Sequence, residues 1–97
     1  KRLSYAGHVS VNVLLDSRFD FVGDPDVVAY GLPELDIEGE DMEDTLYDAV
    51  LGAVESIPRT RRKELEMVRE AVRRAVRSAA NEAWGKKPIV TVFLTKV

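Results

Sequence analysis

The chain has 97 residues, 45% of them hydrophobic and 32% charged, and no cysteine. That length makes one domain with a core of its own. The missing cysteines exclude a disulfide scaffold, a thiolate-bound zinc or iron–sulfur centre and a thiol nucleophile. The net charge of −3 conceals an asymmetry, because residues 1–58 carry a net of −10 and residues 59–87 a net of +6. The two halves either complement each other inside one fold or face different partners.

Residues 1–7 show no period and read as a lead-in, the end of an interdomain linker. With Lys1 first and no early methionine, the chain reads as a piece of something longer. No apolar run approaches the roughly 20 residues of a membrane span. His8, Ser10 and Asn12 interrupt what a secretory signal would need. No membrane partner is expected, and the location expected is the cytoplasm.

Alternation then begins. Val9, Val11, Val13 and Leu15 fall on one side of a strand, and His8, Ser10, Asn12 and Leu14 on the other. Gly23-Asp24-Pro25-Asp26 is a turn, with proline presetting φ and aspartate bonding nearby backbone. Val27–Leu32 reads as a second strand hairpinned to the first. Pro33–Glu40 is an acidic connector.

From Asp41 the period changes to 3.6, and Met42, Leu46, Ala49, Val50, Ala53 and Ile57 form an apolar stripe. Asp41, Glu43 and Asp44 place negative charge where a helix start favours it. Pro58 ends this helix, and Thr60 is the expected N-cap of the next, over Arg61–Trp84. Leu65, Val68, Val72, Val76, Ala79 and Ala83 make its stripe, with Met67 nearly opposite. Gly85, Lys86-Lys87 and Pro88 read as C-cap, dipole-matched cations and stop. Ile89–Val97 is the third strand.

The expected fold is therefore α+β and two-layered, in the order β-β-α-α-β. Three strands are covered on one face by two helices, with the last strand beside the first.

No catalytic constellation accompanies this pattern. His8 is the single histidine and sits on the polar side of its strand, which makes it a surface residue. The acidic run from Asp36 to Asp44 fails the calcium-loop pattern, since Gly39 is sixth from Glu34 but fourth from Asp36, and neither register has glutamate at twelve. The glycines form no phosphate loop. Arg69, Arg73 and Arg77 recur at i+4 along the second helix and are candidates to track the phosphate backbone of a nucleic acid. Glu66 and Glu70 offer the opposing reading, ordinary helix-surface ion pairs. In the last strand Val90, Val92 and Leu94 form the core side. Ile89, Thr91, Phe93, Thr95 and Val97 point the other way, with Leu14 of the first strand beside them. So apolar an outer face is a candidate self-association surface through Leu14, Ile89, Thr91, Phe93 and Thr95. The opposing reading is that single exposed apolar residues are normal.

Residues 71–97, AVRRAVRSAANEAWGKKPIVTVFLTKV, and residues 7–16, GHVSVNVLLD, resemble the C-terminal domain of the ribonuclease J family of metallo-β-lactamase/β-CASP ribonucleases. The element order is similar too. The chain departs from the family at Lys86-Lys87-Pro88, where many members have Arg-Arg-Pro. It departs again at Ala29-Tyr30-Gly31-Leu32, where many have Ser-Arg-Gly-Phe. The resemblance implies an accessory domain over residues 8–97, without catalytic or metal-binding residues and without a small-molecule cofactor. It implies a parent that is a metal-dependent 5′-to-3′ exoribonuclease and endoribonuclease, with two divalent metals, zinc expected, bound outside this domain. It also implies a homodimer, RNA as the parent's partner, and support of the parent's activity. The alternative is an RNA-binding module using the basic flank of the second helix.

Overall fold

The computed structural model describes residues 6–97. Lys1–Tyr5, most of the expected linker, lie outside the described residues. Strand β1, His8–Leu15, occupies the middle of a three-stranded sheet of order β2-β1-β3. Strand β2, Asp26–Tyr30, pairs with it antiparallel, with Ser10 opposite Val28. Strand β3, Ile89–Lys96, pairs with it parallel, with Ser10 opposite Thr91. The last strand thus lies beside the first, in the parallel pairing that a long helical connection permits.

Helix α1 spans Met42–Glu55 and helix α2 spans Leu65–Trp84. Asp41 is the N-cap of α1, its carboxylate accepting from the backbone N–H of Asp44 at 3.1 Å. Gly85 closes α2 at φ 86°, a left-handed conformation that costs glycine least. Both helices bury one stripe against one face of the sheet. The core joins Val9, Val11, Val13 and Leu15 with Val90 and Val92, Met42, Leu46, Val50 and Val54 of α1, and Val68, Val72, Val76, Ala80 and Ala83 of α2.

Four local expectations need correction. Thr60 is not the N-cap of α2. Arg59–Arg61 form a 3₁₀ turn after Pro58, and α2 starts only at Leu65. Val54, outside the expected stripe of α1, is fully buried, while Ala49 and Ala53 are half-buried. On α2, Ala80 is buried where the stripe has only half-buried Ala79. Met67, placed opposite the core, is half-buried and packs against it. The fold also begins earlier than His8, because Gly7 is buried and its carbonyl accepts from Ile89 N–H at 3.1 Å. Gly7 stands at φ 89°, and a β-carbon there would fall 2.7 Å from the carbonyl oxygen of Tyr30.

The connectors are ordered. The Asp36 carboxylate accepts from the backbone N–H groups of Glu38 and Glu40 and from the Thr45 hydroxyl, each at 2.9 Å. Those bonds, that of Glu40 foremost, hold the acid below its usual range of titration. The acidic connector is thus clipped by its own carboxylate, and Ile37 N–H reaches Ala83 C=O at 3.0 Å. At the opposite end Arg62 is the clip. Its Nε donates to Ile57 C=O at 3.0 Å, and its terminal nitrogen reaches Phe19 C=O and the Asp20 carboxylate.

Candidate functional site

Two surfaces remain once the core is closed. The first is the sheet face that no helix covers. Strand pleating sends alternate residues there, and the register arranges them in rows. Tyr30, His8 and Ile89 form one row, Val28, Ser10 and Thr91 the next, and Asp26, Asn12 and Phe93 the third. Leu14 lies opposite Thr95 beyond them. Ile89 is 69% exposed, Phe93 53% and Tyr30 55%, and Leu14 and Val28 are also exposed. Thr91 is half-buried, since its hydroxyl shares a 2.9 Å hydrogen bond with His8 Nε2. His8 is therefore more tightly engaged than a free surface histidine. Its ring also lies nearly parallel to that of Tyr30, centroids 6.3 Å apart. The sequence placed Leu14, Ile89, Phe93 and Thr95 on this face correctly. It missed the share of β2, Val28 and Tyr30, because the hairpin register cannot be read from alternation alone.

The second surface is the basic flank of α2, and here the three expected arginines separate. Arg69 is paired with Glu66, and Arg73 holds Glu70 through two hydrogen bonds of 2.9 and 2.6 Å. Arg74 joins the same carboxylate at 2.9 Å. Arg73 first, then Arg74, draw the Glu70 carboxyl down to about 2. Arg77 makes no ion pair among the described residues. It lines a shallow groove of about 230 Å³ together with Arg74, Ser78, Asn81 and Lys87.

Neither surface fits a two-metal centre. Among the described residues no three His, Cys, Asp or Glu side chains are grouped closely enough to hold an ion. The imidazole of His8 is already committed to Thr91 and Tyr30. No helix of the described residues is long and apolar enough to cross a membrane.

The family model for the ribonuclease J C-terminal domain matches residues 1–97. The chain belongs to that family. A curated relative, ribonuclease J of Sinorhizobium meliloti, is 75% identical over 97 residues, which are all of this chain and 17% of that protein. The chain thus spans about a sixth of the relative it matches. In this ribonuclease J C-terminal domain the outer sheet face and the basic flank of α2 are the two surfaces that carry the residues singled out above. Sequence reasoning did not find the clip at Arg62, whose partners Phe19 and Asp20 lie 43 and 42 residues away. It also missed Glu43, which accepts from the N–H of Ala29 at 3.0 Å and so occupies part of the outer edge of β2.

Proposed function

We propose that this domain is a non-catalytic module of a metal-dependent ribonuclease, and that two copies associate through the uncovered sheet face. The observation that carries the reading is the apolar set Leu14, Val28, Tyr30, Ile89 and Phe93, exposed together on one face. The pleat that buries Val9, Val11, Val90 and Val92 obliges their neighbours to point outward. Evolving those positions to lysine or glutamate would be the ordinary way to keep such a face wet.

The face is small. Two strands of eight residues and one of five, spaced about 4.8 Å apart, cover on the order of 330 Å², against about 800 Å² per partner in a standard interface. Association of the isolated chain is therefore weak and concentration-dependent. In the parent it holds two catalytic bodies together and supports their activity. Hydrolysis of RNA, from the 5′ end and internally, belongs to those bodies and to two divalent metals there, zinc being the expected ion. The setting is cytoplasmic RNA processing and decay.

Sedimentation equilibrium over a concentration series tests the association. A reversible dimer that Phe93→Glu dissociates is the expected result. A dimer indifferent to Phe93→Glu, or monomers of both this chain and the full-length enzyme, would overturn it. The chain alone, given Zn²⁺, Mg²⁺ or Mn²⁺, is expected to cleave no RNA. Cleavage abolished by one substitution within residues 6–97 would refute the non-catalytic assignment.

A further inference from the structure

The groove at the C-terminal end of α2 has a composition unlike the rest of the helix. Arg74, Ser78 and Asn81 line it from positions i, i+4 and i+7, Arg77 from beside them, and Lys87 from beyond the Gly85 cap. No carboxylate lines it. One turn earlier each arginine is met by glutamate, Arg69 by Glu66 and Arg73 by Glu70. Only the Nε of Arg74 is spent on Glu70, and that side chain is 76% exposed. Its terminal nitrogens, the full guanidinium of Arg77 and the ammonium of Lys87 remain as donors. Ser78 and Asn81 add a hydroxyl and an amide, each able to donate and to accept. Two guanidinium forks and an ammonium around neutral donors recognise an oxyanion, and planar forks suit phosphate in particular.

We infer that this groove binds the phosphodiester backbone of single-stranded RNA through Arg74, Arg77 and Lys87. This moves the contact away from Arg69 and Arg73, whose charge is already neutralised, toward the end of the helix. A carboxylate-rich protein segment is the competing polyanion. RNA is favoured over it on the proposed function, since the matching family model is that of a ribonuclease, and oligoglutamate is included in the test to separate the two. The inference does not depend on the sheet face, which lies across the core from the helices.

Fluorescence anisotropy of labelled uridylate dodecamer with this chain is the test, read as a salt series. Three phosphate contacts give a slope of log K against log salt of about −2, or about a 20-fold loss between about 50 and about 200 mM salt. The double variant Arg77→Ala/Lys87→Ala should flatten the slope to about −0.7. The charge-matched variant Arg69→Ala/Arg73→Ala should leave it unchanged. Arg77 and Lys87 are exposed and Arg69 and Arg73 half-buried, and a thermal melt confirms that each variant is folded. A thymidylate dodecamer bound as tightly as uridylate assigns the affinity to the backbone phosphates, and weaker binding adds the 2′-hydroxyl; both support the groove. Equal loss from the two double variants, oligoglutamate bound as tightly as uridylate, or no RNA binding at low salt would each overturn it.

Discussion

The two faces of the sheet are built from the same strands and both carry large apolar residues, yet those residues have different fates. On the inner face Val9, Val11, Val13 and Leu15 are wholly inaccessible, whereas on the outer face Leu14, Val28, Ile89 and Phe93 are open. The difference lies in what sits opposite. The inner face meets two apolar stripes, whose residues recur every third or fourth position along α1 and α2. The outer face meets no helix among the described residues. Apolar character alone therefore does not assign a residue to the core, and the uncovered half is where function is to be sought.

Substitutions at four positions separate these roles. The largest effect belongs to the inner face. Leu46→Ala should cost about 3 kcal/mol, because the vacated volume cannot be refilled in a packed core. The melting midpoint would fall by about 15 °C, measurable by circular dichroism. Arg62→Ala comes next, at about 2 kcal/mol in chemical denaturation. It leaves the carbonyls of Ile57 and Phe19 without their donor, a cost typical of a half-buried polar group. Arg62→Lys should not restore it, since one ammonium cannot reproduce the guanidinium's separate contacts. Phe93→Glu should move stability by less than about 0.5 kcal/mol, as surface changes do, while abolishing association. A large loss of stability from Phe93→Glu would erase the distinction between the faces.

The smallest effect lies on α2, away from both faces. Glu70 titrates at 4.5 in an unstructured chain and at about 2 in the fold. Its contribution to stability is complete above pH 4.5 and is lost as the pH falls toward 2. Glu70→Gln should remove that part of the acid sensitivity in melts between those limits. It should leave the sedimentation behaviour of the outer face untouched.

Most of this architecture was legible. Alternation from Val9 to Leu15, the shift to a helical period at Met42 and the Gly85–Pro88 stop located β1, both helices and β3. What failed was the start of α2. Arg59–Glu64 carries no strong helix breaker after Pro58, so nothing local distinguishes a 3₁₀ turn from a first helical turn. The decision is made at long range, where Arg62 bonds to the β1–β2 loop. The basic flank was legible in part. Spacing set Glu66 against Arg69 and Glu70 against Arg73 and Arg74, and the structure makes those pairs, so of the three arginines singled out as RNA contacts only Arg77 is without an ion pair among the described residues. The outer face was half legible, since β3 and β1 announce it by alternation while Val28 and Tyr30 join it only through the hairpin register.

The parallel pairing of β1 with β3 has a mechanical consequence. The chain enters the sheet at His8 and leaves it at Lys96, at opposite ends of two adjacent strands running the same way. Seven residue steps set those points about 23 Å apart along the strand axis. A force drawing them apart loads the whole β1–β3 ladder at once, in shear, rather than unzipping it bond by bond. The hairpin β1–β2, by contrast, carries none of that load directly. A domain so wired behaves as a stiff link in a tensioned chain, and it should yield abruptly when its central ladder slips.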